Sequence, residues 1–468
     1  MCLTYDVAIV GSGFSAIALT LNFLRFLPPT ASIAVIGDDP GFGRGTAYRT
    51  EFYLHRLNVP AARMSVFPGE PEDFVDWLRR RGKPVFAEDF ASRGDYGLYL
   101  RDTLAAHLKP RASRANVDFI RAKATACIAN SETGEAQGLT FHLDNGSVLS
   151  ARTVVLALGV GTASLPVPQE KIAASLGAQT VVNPWRLGWL SRVERDDEIC
   201  VFGSGLTMID QVLSLKAQGH RGRVHVLSRR GLVPHPHPRR RPPAIAPQLP
   251  ESRQISALLH ALRAQAEAAE DWRSVFDGLR PQTQALWQSL DGEQRSRFLR
   301  HAMPWWSVHR HRVAPDVHER FQQLLDAGVV KVHAGYVQTI DASDSGRAVV
   351  RYRERGRQTI ATFEADWIVN CTGMERAGIG HSPLLQAMRE RAMIATDPLR
   401  LGIAVDEHSR VLAPDGSVQP GLYAAGALTA GQFWEITAVP DIRVQAELVA
   451  RQAADEVERR MPRPARSA

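Results

Sequence analysis

Apolar and polar positions fall along the chain in blocks whose lengths set the elements. Residues 5–10 (YDVAIV) are a short apolar run that reads as a buried strand, and after a glycine turn the apolar positions of 14–26 recur at helical spacing. A second apolar run follows at 31–37 (ASIAVIG). Strand, glycine turn, helix, strand is the beginning of a parallel sheet joined by crossover helices. The same pattern returns at 199–210 (ICVFGSGLTMID), backed by a strand at 223–231 (RVHVLSRRG). Two more runs, 153–161 (TVVLALGVG) and 367–375 (WIVNCTGME), read as strands ending in Gly159 and Gly373. The first of these follows FHLDNGSVLSAR, whose Asn145-Gly146 pair predicts a hairpin turn. Near the C-terminus, GLYAAGALTAG predicts a strand and a turn at Gly426, and the remainder to about 460 predicts one long helix.

This order predicts an α/β protein with two Rossmann-like dinucleotide-binding domains, the second nested in the first. The expected boundaries are 1–160 for the first part of the outer domain and 161–375 for the inner domain. The outer domain returns at 376–455, and 456–468 form a tail. Between about 240 and 330 the inner domain carries a helical insert. Its entry, HPHPRRRPPAIAPQLP, reads as a loop or lid, and helical periodicity rich in His, Arg and Trp follows.

The glycine turns carry the first candidate chemistry. Gly11 permits a tight turn, Gly13 lets the backbone approach a pyrophosphate, and Ala16 allows close packing of helix on strand. Asp38 ends the second strand, 27 positions after Gly11, where an acid can accept from a ribose hydroxyl. In the second copy Gly203 and Gly205 take the same places, with Met208 at the third position. Its partner strand ends not in an acid but in Arg229 and Arg230, and arginine there accommodates a 2′-phosphate. NADPH is the local preference.

Charge changes the picture less than it first suggests. The 468 residues carry 56 Lys and Arg against 49 Asp and Glu, for a net charge of +7, which invites a nucleic-acid reading. Six lysines leave fifty arginines, and arginine is the side chain suited to bidentate capture of phosphate or carboxylate. Lysine-rich stripes with interleaved aromatics are missing, so small anionic ligands explain the excess better than nucleic acid. Four cysteines, at 2, 127, 200 and 371, form no CxxC pair, which argues against a disulfide scaffold, a zinc site and a dithiol relay. No apolar run reaches the roughly 18 residues of a membrane span, and no metal site is expected. A cytoplasmic protein is the expectation.

The runs VGSGFSAIAL, GFGRGTAY (41–48), HRLNVPAARMSVFPGEPEDFVDWL (55–78), GSGLTMID and SVHRHRVAP are spread between positions 10 and 315 of the chain. With them, the chain resembles the two-dinucleotide FAD/NAD(P)-binding flavoprotein family that holds the bacterial FAD-dependent urate hydroxylase and a flavin-dependent aspartate N-monooxygenase. The resemblance implies FAD on the outer fold, NADH or NADPH on the inner one, and O2 as co-substrate. It implies a monooxygenase, with urate hydroxylation to 5-hydroxyisourate as the leading expectation. N-hydroxylation of an amino acid such as aspartate, or of another amine, is the alternative. A flavin redox sensor without turnover is a third. Urate-oxidising relatives are associated with NADH, so the nicotinamide choice stays open. Two departures from the family pattern stand out: Gly37 occupies the place of the usual ribose acid, and Ala427 that of a common flavin-binding Asp.

Further candidates follow from position. Arg44, beside Gly45, could reach the pyrophosphate, and by the resemblance Asn58 in LNVP would sit near the flavin ring. Trp305 and Trp306 can stack a purine, while Arg310 or Arg312 can pair with an anion and His309 or His311 can move a proton. The competing reading of that stretch is a helix with its Trp residues in the core and its basic residues in solvent. His235 and His237 lack further ligands for a metal.

Overall fold

The computed structural model describes residues 3–39, 42–45, 47–50, 52–109, 114–130, 138–161, 163–373 and 379–460. Cys2, Gly41, Thr46, Met374, Glu375 and residues 461–468 of the expected tail lie outside them. The chain divides into two units, one of residues 1–51, 59–161 and 376–468, the other of 52–58 and 162–375.

In the first unit, β1 (Leu3–Val10) leads into α1 (Phe14–Phe26) and β2 (Ser32–Ile36). Val7–Val10 of β1 and Ile33–Ile36 of β2 are continuous buried apolar runs because both faces of the sheet are covered there, as is usual for parallel sheets. Helix α1 buries ten of its thirteen residues, Thr20 and Asn22 among them. The Thr20 hydroxyl and the Asn22 amide nitrogen donate to the carbonyls of Ala16 and Ala18, whereas the Asn22 Oδ1 is buried without a hydrogen-bond partner. Helices α2 (Asp73–Arg80) and α3 (Arg93–His107) come next, followed by β3 (Asn116–Ile120), β4 (Ala124–Ala129), β5 (Leu139–Leu143) and β6 (Val148–Leu156). Gly146, at φ +82°, turns β5 back onto β6, as the Asn-Gly pair predicts.

The second unit contains β7 (Thr180–Val181), β8 (Ile199–Phe202), α4 (Leu206–Ala217) and β9 (Val224–Ser228). Six helices follow where the helical insert is expected: α5 (Ile255–Ala268), α6 (Trp272–Leu279), α7 (Thr283–Ser289), α8 (Gly292–Arg297), α9 (Met303–Arg310) and α10 (Pro315–Asp326). The unit closes with β10 (Val330–Ala342), β11 (Ala348–Glu354), β12 (Ile360–Ala365) and β13 (Trp367–Asn370). Its sheet runs β12-β11-β10-β9-β8-β13-β7, parallel from β7 to β10 and antiparallel through β11 and β12. Phe202, Leu227, Ile340, Val350 and Ile368 make its core.

The chain then completes the first unit with α11 (Pro383–Glu390), β14 (Arg410–Leu412), β15 (Val418–Ala424) and α12 (Val439–Arg460). Its sheet has the order β14-β15-β6-β1-β2-β3, with the β4–β5 hairpin joined to β6. Strands β3, β2, β1, β6 and β15 are parallel. Helix α12 continues through 456–460, residues assigned from sequence to the tail, because Val457 still buries its side chain and Arg460 reaches Glu456.

Candidate functional site

The first unit brings three turns to the carboxyl ends of β1, β2 and β15, where open α/β sheets bind ligands. Gly11, at φ +144°, follows β1, and a Cβ there would lie 2.2 Å from the Ala157 carbonyl oxygen. Only glycine lets the ends of β1 and β6 pass this closely. Gly13 is the N-cap of α1, without a side-chain cap and without an acid in the first turn. A Cβ on it would meet nothing within 4 Å. The first N–H groups of α1 therefore face open space at the positive end of the helix, the arrangement that holds a pyrophosphate. Ala16, fully buried, keeps α1 close to the sheet.

The turn at 42–45 walls this cradle. Gly43 N donates to Ser12 O at 2.8 Å, and a Cβ on Gly45 (φ +52°) would lie 3.4 Å from Gly13 Cα. Arg44 lays its stem against α3 at Gly97, where an added Cβ would come within 2.9 Å of Arg44 Cδ. Asp38 stands exposed at the end of β2, 3.3 Å from Lys123 Nζ. Its neighbour Asp39 is buried and paired with Arg49 at 2.8 Å. Gly426 (φ +74°) opens the third reversal, with its Cβ direction 2.5 Å from Ser15 Oγ in the first turn of α1. The residues present fit a dinucleotide: the space at Gly13 is one that a side chain would fill.

The second unit repeats the design. Gly203 (φ +97°) follows β8 and would place a Cβ 2.2 Å from the Cys371 carbonyl oxygen. Gly205 is the uncapped N-cap of α4, with nothing within 4 Å of its Cβ position. Met208, in the place that Ala16 takes in the first copy, is fully buried. Ser204 Oγ lies 2.8 Å from Ser228 Oγ, which also accepts from Gly231 N, so the turn after β9 is fastened to the glycine turn. Arg229 on that turn is exposed and Arg230 half-buried.

A third assembly gathers the basic and aromatic residues of the insert. The segment 235–237 pairs with 308–313: His235 N donates to Val308 O, and Val313 N donates to His235 O. This stacks His309 among His235, Trp272 and Phe276, with ring centroids 4.6, 4.8 and 5.5 Å away. His309 Nδ1 is 2.8 Å from Trp305 O. Trp306 packs on Phe276 and Phe298, whereas Trp305 is 46% exposed. Trp306 is half-buried, so neither tryptophan lies fully in the core.

The sequence offers Arg310 and Arg312 equally as anion partners, and the structure separates them. Arg312 is buried, bonded to Asp277, and lies over the Trp272 ring at 5.9 Å. Asp277 also takes Arg241 at 3.3 Å, so one carboxylate serves two arginines. Arg310 and His311 are half-buried at the end of α9. Asn58 belongs to the same unit, and its carbonyl lies 3.0 Å from His237 Nε2. Burial, with Arg312 adding, holds His237 down at about 4, so the neutral ring donates its Nε2 proton to that carbonyl. Nothing in the sequence marks Asp277, Trp272 and Phe276, because α6 shows only ordinary amphipathic spacing there. Their partners are 30 and more residues away.

Several of the arginines pair with carboxylates of the protein itself. Arg347 bonds Asp366, Glu364 and Glu198, Arg239 bonds Glu319, and Arg410 bonds Asp406. Cys127, Cys200 and Cys371 are buried and free: burial raises the Cys127 thiol to about 12, and raises the other two as well. None is a nucleophile at neutral pH. Among the described residues no helix is long and apolar enough to cross a membrane, and no group of three or more His, Cys, Asp or Glu is placed to hold a metal.

Residues 8–161 match the family model described as FAD-NAD(P)-binding, and residues 329–439 match an FAD binding domain. A search of the curated proteins returns no match. Among solved structures, the chain is similar to the ornithine N-hydroxylase of Kutzneria sp. 744 in a complex with reduced FAD, NADP+ and L-ornithine. The identity is 14% and the TM-score 0.65, over 98% of this chain and 99% of that one. It is similar to the L-lysine 6-monooxygenase of Pseudomonas syringae (18%, TM-score 0.64, 98% and 100% covered). It is also similar to the FAD-bound cadaverine monooxygenase of Erwinia amylovora (12%, TM-score 0.64, 96% and 94% covered). At these identities the likeness is one of fold. The cradle at Gly11–Gly13 lies within the residues that match the FAD-NAD(P)-binding model, and the fold is one of FAD/NAD(P)-binding domains of the Rossmann type.

Proposed function

We propose that the protein is a flavin-dependent N-hydroxylating monooxygenase that uses NADPH and O2 to convert the amine of an amino acid, or of a related small amine, into a hydroxylamine. One observation carries this reading. Both dinucleotide cradles occur in a chain that matches amine N-hydroxylases end to end, 98% of it against 99% and 100% of two of them. The balance is R–NH2 + O2 + NADPH + H+ giving R–NHOH + NADP+ + H2O. Bound FAD supplies hydride acceptance and oxygen activation.

The chain's own residues hold and orient. Gly11, Gly13, Ala16, Gly45 and Gly426 shape the FAD site, with Arg44 beside the pyrophosphate and Asp38 toward the ribose. Gly203 and Gly205 receive the nicotinamide dinucleotide, and Arg229 and Arg230 its 2′-phosphate. Arg310 takes an anionic end of the substrate and Asn58 orients the reacting face. His309 or His311 moves the amine proton, since only a neutral amine has the lone pair that attacks oxygen. Arg312, tied to Asp277, fixes the end of α9 that carries Arg310.

Urate hydroxylation is the second reading, favoured by the runs 41–48 and 55–78 on which the family resemblance rests; no solved structure reported above supports it. A screen settles between them. Purified protein with FAD and NADPH is offered ornithine, lysine, aspartate, cadaverine and urate, and NADPH oxidation, hydrogen peroxide and trapped hydroxylamine are followed. Coupled oxidation with hydroxylamine and little peroxide is the expected result for one amine. Loss of urate absorbance with inert amines would overturn the proposal.

A further inference from the structure

The reversal at Gly426 is fastened by a residue of α12. Gln445 Oε1 accepts from Gly426 N at 2.8 Å, and Gln445 Nε2 donates to Thr429 Oγ1 at 3.0 Å and to Ser409 Oγ at 3.1 Å. Thr429 Oγ1 then donates to the Gly426 carbonyl at 2.9 Å, closing a ring of bonds around the turn. Gln445, Thr429 and Ser409 are all buried, so every hydrogen-bonding group of this amide has its partner away from water.

The network matters because of what the turn touches. Ala425 N donates to Leu156 O, which places Gly426 directly beyond the parallel edge of β15 and β6. Its missing side chain leaves room for Ser15 Oγ, in the first turn of the helix whose N–H groups face the FAD pyrophosphate. The turn is one wall of the FAD cradle, and Ala427 gives it no side chain with which to grip a ligand. Its backbone position then decides what it offers, and that position is set from α12.

We infer that Gln445 is the positioning residue of the FAD site, holding the Gly426–Thr429 turn against the N-terminus of α1 through hydrogen bonds to Gly426 and Thr429. The inference rests on FAD occupying the first cradle, and it needs neither substrate nor turnover. It is tested on flavin-free protein titrated with FAD, following flavin fluorescence and the visible spectrum of the bound form, beside melting curves with and without FAD. Gln445→Leu keeps the bulk and removes all three bonds, and Thr429→Val removes the closing bond in nearly the same shape. The expected result for Gln445→Leu is an FAD dissociation constant raised about 10- to 100-fold with an altered flavin spectrum, the scale of losing buried hydrogen bonds. For Thr429→Val a smaller change in the same direction is expected.

Lower melting temperatures with FAD affinity and spectrum unchanged would make Gln445 an ordinary core residue and overturn the inference. If Gln445→Leu fails to fold, an unchanged FAD titration of Thr429→Val overturns it equally. Failure of the unsubstituted chain to bind FAD would overturn the cofactor reading and this inference together, whereas tight FAD binding with no amine hydroxylated would overturn only the proposed activity.

Discussion

Replacing Gly203 and Gly205 separately by alanine separates the two jobs of a glycine turn. At Gly203 the new Cβ would lie 2.2 Å from the Cys371 carbonyl oxygen, where carbon and oxygen normally stay about 3.3–3.6 Å apart. That oxygen belongs to the backbone beyond β13 and cannot swing away. A non-glycine residue at φ +97° adds about 1–3 kcal/mol of strain, and overpacking about 1–3 more. The sum, about 2–6 kcal/mol, is a large part of a domain's usual stability of about 5–15 kcal/mol. At Gly205, φ is −85° and nothing lies within 4 Å, so alanine changes folding by under about 1 kcal/mol. The methyl group instead fills the mouth of α4 and displaces phosphate oxygens from its N–H groups. Losing one or two bonds to a charged group, about 1.5–3 kcal/mol each, weakens NADPH binding about 10- to 200-fold or more. Melting curves and NADPH titrations of the FAD-loaded protein read both effects. Gly205→Ala with unsubstituted NADPH affinity would refute the assignment of this cradle, and Gly203→Ala of full stability would refute the steric argument.

Arg229→Ala should raise the KM for NADPH about 10-fold or more and leave NADH nearly untouched, since a charged hydrogen bond to the 2′-phosphate is worth about 1.5–3 kcal/mol. An unchanged ratio of the two nucleotides would remove Arg229 from the site. Acid should weaken the second unit before carboxylates titrate. Burial holds His225 and His333 down at about 4, the first beside Arg223 and Lys331, the second beside His225, Lys331 and Glu354. His237 is held down to the same region. An unfolded histidine titrates near 6.5, so between about 6.5 and 4 the unfolded chain binds more protons than the folded one. The stabilisation is whole above about 6.5 and is lost as pH falls toward 4. Denaturant midpoints at pH 7, 6 and 5 should therefore drop in order, with a shallower slope in His225→Gln/His333→Gln; a flat profile would contradict the burial of these rings.

The sequence by itself determined the two glycine cradles, because each needs a local string: an apolar strand, a residue free to adopt positive φ, and a helix opened without a side-chain cap. Gly11, Gly13, Gly203 and Gly205 carry those demands within a few residues of chain, and Asn145-Gly146 does the same for its hairpin. The long closing helix was legible from its periodicity to about residue 460, and its last turn is held by the burial of Val457 and the Arg460–Glu456 pair. Only the tertiary structure decided which charged side chains are available. Arg310 and Arg312 are indistinguishable as letters two positions apart, yet Arg312 is spent on Asp277, 35 positions away. The same holds for Gln445, an unremarkable helical residue until the fold carries Gly426 beneath it. Backbone geometry is written in short-range residue choice, whereas the pairing of buried polar and charged groups depends on neighbours that only the folded chain supplies.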